Sequence, residues 1–330
     1  MRADLLGVVE AAQQLGPDDA WLREVTEAAG PLLDGGFGVV GHFVDVSDVH
    51  RLKMGAMHTY GGNTELARTL AEVNETISPE MVDRTFRAAK PFTTVSECVG
   101  IARWREVMAG RTPRGVRDFS CVVSLDANGV GFAMGAPLGR VRRHPAAAQQ
   151  AWARVAAHMV AMQRLRHVLG GGATDDDGEA VLSPGGNVEN AVGVARGRDA
   201  RTALRGAVLS REKARGKLRR QAPVDALQLW QAMVAGRWTI IDRFESDGRR
   251  FVVAHENRSV ASGPRALSRR EREVAALASL GHSNKLIAYE LGLAVGSISG
   301  TLQIALRKLG LPSRVELVRL LRAPWRGTGG

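Results

Sequence analysis

The sequence predicts a multidomain chain in which an N-terminal α+β region leads into an all-α module of four short helices. Two observations carry that expectation. Apolar residues follow both helical and strand-like periods up to about residue 258, and only the helical period beyond residue 264. The charge is also unevenly placed. Residues 261–330 hold eleven basic and four acidic side chains, whereas residues 1–170 hold nineteen and eighteen. A compact basic module at one end is the electrostatic footprint of a polyanion binder. With 330 residues, 45% of them hydrophobic and 24% charged, the chain has material for two or three cores.

The elements follow in order. Leu5 to Leu15 and Trp21 to Leu33 read as helices, and Phe37 to Val46 as a strand after Gly35-Gly36. Thr64 to Val73 and Pro79 to Ala89 read as helices, and Phe92 to Val95 as a short strand. Phe119 to Leu125 and Gly129 to Gly135 form an expected hairpin about Asp126-Ala127-Asn128-Gly129, because Asn-Gly suits a positive-φ turn. A long helix from about Pro145 to Leu169 carries Trp152, Val155, Met159, Met162 and Leu165 as one apolar stripe. Glycine-rich, acidic 170–178 reads as a linker. Beyond it come a strand at Ala180 to Leu182, a helical stretch from Asp199 to Gln221, a helix near Ala226 to Val234, and a strand pair at 238–244 and 249–254. The expected units are therefore 1–169, 179–258 and 264–324.

Several function classes are excluded or unsupported. No apolar run reaches the roughly 18–20 residues of a membrane span, and the N-terminus has no signal-peptide core, so a cytoplasmic protein is expected. Cys98 and Cys121 are too few for a disulfide framework, and Cys121 reads as a buried strand residue. His42, His50 and His58 fit no standard metal spacing. No nucleophile–base constellation and no phosphate loop occur, so neither an enzyme nor a cofactor or metal is expected. The basic stretch 196–220 extends a DNA contact, forms a solvated helix face, or pairs with Asp175–Asp177; its composition allows all three.

The last module is the most informative. Ser268-Arg269-Arg270-Glu271 fits a capping box, and Val274, Leu277 and Leu280 then share one face. Gly281 stops that helix. Ser283 caps a second one with Leu286, Ile287 and Leu291 apolar, and Gly292 ends it. A third helix carries Ile298, Leu302, Ala305, Leu306 and Leu309 on one side. A fourth begins near Ser313 with Val315, Val318 and Leu321 expected inward. Four short helices with a tight turn between the second and third have helix-turn-helix geometry.

The stretch from Leu267 to Leu321 resembles the C-terminal domain of LuxR-type (GerE-like) transcriptional regulators. The matching pieces are Leu267-Ser268, Arg270-Glu271, Glu273-Val274, Ser283-Asn284-Lys285, Ile287-Ala288, Leu291-Gly292-Leu293 and Arg307-Lys308-Leu309-Gly310. The resemblance covers about a sixth of the chain. It implies double-stranded DNA as partner, a third helix in the major groove and homodimers through the fourth. The helical wheel, taken independently, places Gly296, Gly300, Gln303, Ile304 and Arg307 opposite the apolar side, with Ser299 at the margin. Ser299, Gly300, Gln303 and Arg307 are therefore the expected base-facing residues, with Gln303 suited to adenine and Arg307 to guanine or phosphate. Lys285, Ser297, Arg314 and Arg269 are expected to hold phosphates. The sequence departs from the family pattern at Ala294, where a Ser or Thr cap is usual, at Ser299, where a basic residue is usual, and at Thr301, where a histidine is common.

The front of the chain loosely resembles small-molecule sensor folds, GAF-like over 1–169 and PAS-like over 179–258. The resemblance implies that this region senses a small-molecule or protein signal or mediates association. The whole reads as a sequence-specific transcriptional regulator. The alternative is a protein-interaction adaptor whose degenerate helix-turn-helix no longer binds DNA specifically.

Overall fold

A computed structural model describes residues 4–48, 51–62, 64–87, 90–109, 114–126, 129–169, 178–244, 248–257, 267–309 and 311–322. The expected linker at 170–178, Gly178 excepted, lies outside them, as do His50, Asp175–Asp177 and the turn residues Ala127 and Asn128.

The chain opens with α1 (Leu5–Ala12), whose first turn is capped by the Asp4 carboxylate accepting from the Gly7 N–H at 2.7 Å. Then come α2 (Asp18–Leu33), β1 (Val39–Asp45), β2 (Lys53–Tyr60), α3 (Thr64–Thr76), α4 (Pro79–Val82) continued by a π turn, and β3 (Phe92–Thr94). They are followed by α5 (Val95–Val99), α6 (Ile101–Val107), β4 (Asp118–Leu125), β5 (Val130–Leu138) and α7 (Ala146–Leu169). The strands form an antiparallel sheet in the order β2-β1-β5-β4-β3. Alternation along β1 assigns its faces: Val39 packs with Trp21, Val25 and Trp152 of α2 and α7, and Val40 with Leu66, Trp104 and Phe119 on the side of α3 to α6.

The sequence reading missed β2. It is an edge strand with mostly exposed or half-buried side chains, so no period-two signal marks it. It also missed α5 and α6, which are too short for a clear helical period. His42 sits buried on β1, and burial pushes its imidazole down to about 4. His58 lies on β2 with Nε2 2.9 Å from Glu27. Burial raises the thiol of Cys98 to about 11 and raises that of Cys121 as well, which keeps both protonated and unreactive near neutrality.

The second region contains β6 (Ala180–Leu182), β7 (Val188–Ala191), α8 (Arg198–Lys213), a π turn, α9 (Arg219–Gln221), α10 (Pro223–Leu229), β8 (Trp238–Phe244) and β9 (Arg250–Glu256). Its sheet is antiparallel in the order β7-β6-β9-β8, with Leu204 and Val208 of α8 packed on Leu182, Ile240 and Val252. The helix expected to reach Val234 ends at Leu229, because Trp230 leaves helical geometry and turns into the core. The inner face of the basic stretch is consumed within the fold. Arg211 pairs with Asp242 at 2.9 Å, Arg215 with Glu10, Glu212 and Asp242, and Arg219 with Asp4 and Glu10. The guanidinium groups of Arg211 and Arg215 also stack 4.5 and 4.7 Å from the Trp230 ring. Arg211 ties α8 to β8, while Arg215 and Arg219 tie the π turn and α9 to α1.

The C-terminal module is α11 (Arg269–Ser279), α12 (Asn284–Leu291), α13 (Val295–Lys308) and α14 (Arg314–Arg322). Val274, Leu277, Ile287, Leu291, Ile298 and Leu302 fill its core. One expectation fails in α14: Val315 points outward at 59% exposed and Leu317 is the buried residue. Val318 is half-buried, and the side chain of Leu321 lies outside the described residues.

Helix α7 explains how the parts join. The expected stripe is buried throughout, but so are Ala157, His158, Ala161 and Arg164 on its other sides. Trp152, Val155 and Met159 enter the first core, Met162 and Leu165 pack with Ile241 and Val253 of the second sheet, and Ala157 and Ala161 join the core of the C-terminal module. Along 151–165 every position is buried or half-buried, as expected of a helix at the centre of a packed assembly.

Candidate nucleic-acid interface

The candidate surface is built by three short helices whose ends are set locally. At α11 the Ser268 Oγ accepts from the Glu271 N–H at 3.3 Å, and the Glu271 carboxylate accepts from the Ser268 N–H at 2.8 Å. Glu271 also receives Lys308 Nζ at 2.8 and 2.9 Å, which links the start of α11 to the end of α13. The Lys308 ammonium and the Ser268 N–H hold this carboxyl below the usual range. Ser283 caps α12 by accepting from the Leu286 N–H at 3.2 Å. Gly292 ends α12 with φ 62°, and a β-carbon there would lie 1.9 Å from the Met233 carbonyl oxygen. The turn therefore requires glycine twice over, for its backbone and for its approach to the loop after α10.

Helix α13 starts at Ala294 without a side-chain cap. Its inner face, Ile298, Leu302 and Ala305, is buried, while Gly296, Ser297, Gln303, Ile304 and Arg307 are exposed. Gln303 and Arg307 thus share one open face, Gly300 is half-buried beside it, and Ser297 lies at the helix start. Ser299 is bound within the module, accepting from Asn284 Nδ2 at 3.0 Å and donating to the Val295 carbonyl at 3.2 Å. Lys285 is exposed on the first turn of α12.

Two of the expected phosphate contacts are engaged elsewhere. The Arg314 guanidinium donates to the Ala278 carbonyl at 3.1 Å, to the His282 carbonyl and to Asn284 Oδ1 at 3.3 Å, stapling the end of α11 to the start of α12. Arg269 donates to the Asn257 carbonyl and lies 3.7 Å from Glu256, on the side of β9.

Neither Gly296 nor Gly300 has a heavy atom within 4 Å of the position a β-carbon would take. Packing therefore does not require them. Gly300→Ala is expected to raise stability by about 1 kcal/mol, the helix-propensity difference, as read by urea denaturation of the full chain.

The module is fixed to α7 by contacts that the sequence reading did not find. Arg164 of α7, 2% exposed, reaches Glu273 of α11 at 3.5 Å and Glu290 of α12 at 3.4 Å, and His282 Nδ1 lies 3.4 Å from the second oxygen of Glu290. Burial raises the Glu273 carboxyl, with Arg164 and Arg270 opposing that shift. Beside this cluster, His158 Nε2 donates to the Trp230 carbonyl at 2.8 Å and lies 2.9 Å from the Tyr289 hydroxyl. That hydroxyl is itself 2.8 and 2.7 Å from the carbonyls of Leu227 and Trp230. Burial drives His158 down to about 3 and raises Tyr289. The sequence sign of this seam is slight: an arginine inside the otherwise apolar run around Met162 and Leu165.

Residues 265–321 match the family described as bacterial regulatory proteins, luxR family (GerE). No curated protein matches the chain. Among solved structures, Escherichia coli SdiA is 10% identical over 96% of this chain and 94% of that one, with a TM-score of 0.31. SdiA in complex with octanoyl-rac-glycerol is 11% identical over 95% and 91%, with a TM-score of 0.29. Both likenesses are too distant to transfer a role. The capped four-helix module and the family match agree on the same residues: 265–321 are a GerE domain of the luxR family.

Proposed function

We propose that the chain is a cytoplasmic, non-enzymatic transcriptional regulator that binds double-stranded DNA sequence-specifically as a homodimer, with α13 in the major groove. One observation carries the reading: α13 buries its apolar side in the GerE domain and leaves Gln303 and Arg307 on one open face. Gln303 and Arg307 read base edges, Gly300 and Ser299 allow close approach, and Lys285 and Ser297 hold the backbone. The outward Val315 on α14 supports dimerisation through that helix. Arg314 and Arg269 reach phosphate only by giving up the bonds described above.

The N-terminal units, GAF-like and PAS-like in this reading and joined by the 170–178 linker, sense a signal. Support comes from a cavity of about 80 Å³ between the first sheet and α3 to α6, lined by His42, Leu70, Thr85, Trp104, Phe119 and Cys121. That volume is well below the roughly 300–1,000 Å³ of drug-sized ligand pockets, so the cavity as it stands admits only a guest of a few atoms.

Selection of bound fragments from genomic DNA by the full-length protein tests the function. One enriched, two-fold symmetric motif is expected. Gln303→Ala should then cost about 1–3 kcal/mol at a single base position, measured by titration against point-substituted sites. Unchanged binding to every substituted site would refute the docking of α13. The uncapped start of α13 and its two glycines favour a second reading, an interaction adaptor. A salt-insensitive protein partner together with unselected DNA that is lost at higher salt would support it.

A further inference from the structure

The GerE domain does not present its basic surface alone. Between α7, α10 and the start of α12 runs a groove of about 800 Å³ that reaches Val295 at the first turn of α13. Its polar lining includes Lys90, Arg154 and Lys285 with Gln149, Gln228 and Gln231, and no Asp or Glu occurs among the described residues that line it. The cations are only lightly compensated. Lys90 meets Gln149 Oε1 at 3.3 Å and Glu97, outside the lining, at 3.7 Å. Arg154 donates to Gln228 Oε1 at 3.4 Å and lies 5.5 Å from the Tyr289 ring centroid. Lys285 is exposed beside them.

We infer that this groove is a second DNA contact, in which Lys90 and Arg154 of the N-terminal region hold backbone phosphates flanking the site read by α13. The inference rests on the DNA-binding function proposed above. Its grounds are the continuity of the groove with the exposed end of α13, and its charge. Three cations and several amides with no lining carboxylate suit a run of phosphates, which amides also bind. The partial positive charge at the start of α12 has the same sign. The buried Arg164 cluster and the Tyr289 contacts seat α12 on α7, so Arg154 and Lys285 form one surface. An acidic protein would match the charge but lacks the continuity with α13.

The test uses the full-length chain and two duplexes centred on its selected site: one just covering the site, the other longer by about one helical turn of 10 base pairs at each end. The dependence of log K on log salt is measured for both. Each phosphate contact adds about 0.9 to the slope, so the longer duplex is expected to exceed the shorter by about 2 per protomer. Lys90→Gln with Arg154→Gln should abolish that excess and leave binding to the short duplex unchanged. Gln150→Glu, at an exposed position in the lining, should weaken the long duplex selectively without removing the Arg154–Tyr289 contact. Equal slopes for the two duplexes, or an excess that survives the double substitution, would overturn the inference while leaving the regulator reading intact. Salt-dependent binding to neither duplex would overturn both.

Discussion

Replacing Arg164 by alanine is expected to cost about 3–5 kcal/mol, because it strands two buried carboxylates. Glu290 is fully buried and Glu273 nearly so, and Arg164 is the cation that reaches both. Arg270 lies 3.6 Å from Glu273 only, and His282 faces Glu290 only. The loss falls on the seam between α7 and the GerE domain, so it should appear first as lost amide-exchange protection in α12. A lower denaturation midpoint of the whole chain should follow. The compensating variant separates charge from packing. Arg164→Leu combined with Glu273→Met and Glu290→Met removes the three buried charges together and should recover much of the stability, since a buried ion triad replaced by apolar residues of similar volume is often neutral. An Arg164→Ala protein with an unchanged midpoint and unchanged protection of α12 would show that this cluster does not hold the domain.

Acid should unfold the protein from an unusually high pH. His42 and His158 are both buried as neutral imidazoles, at about 4 and about 3 against an ordinary 6.5, with burial the dominant cause. Well above pH 6.5 neither state binds the extra proton, and the two residues add no pH dependence. Below pH 6.5 the unfolded chain takes up both protons while the folded chain refuses them, so stability falls continuously until the folded values are reached. At pH 5 each histidine has lost about 2 kcal/mol, or about 4 together. Urea midpoints measured at pH 7, 6 and 5 read this directly, and His42→Leu should remove about half of the part due to these two histidines, with His144, also lowered by burial, adding to the remainder. A midpoint constant between pH 7 and 5 would refute the assignment. His158 also bonds the Trp230 carbonyl beside Tyr289, so the charge it takes up on protonation is buried at the same seam that Arg164 holds.

The Arg164 cluster and His158 meet at one place, the contact between α7 and the GerE domain. The first core and that contact share one helix, since Trp152, Val155 and Met159 lie on the same helix as Ala157, Ala161 and Arg164. The exposed face of α13 is unaffected by the seating itself, because Gln303 and Arg307 remain open with the seam closed.

The sequence by itself determined the features that depend on a few neighbouring residues. The capping box of Ser268 and Glu271, the cap at Ser283, the glycine stop at Gly292 and the apolar spacing of Ile298, Leu302 and Ala305 all stand where they were expected. Each rests on bonds or burial spanning one to three helical turns, which periodicity and residue type encode directly. Only the tertiary structure decided the rest. The exposed edge strand β2 carries no alternation to read. The outward turn of Val315 depends on how α14 lies against α11. Arg215 and Arg219 find Glu10 about 200 positions away, and Arg164 meets Glu273 and Glu290 across more than a hundred. Ion pairs of that reach leave no local pattern, because a charged side chain looks the same in sequence whether water or a distant partner satisfies it.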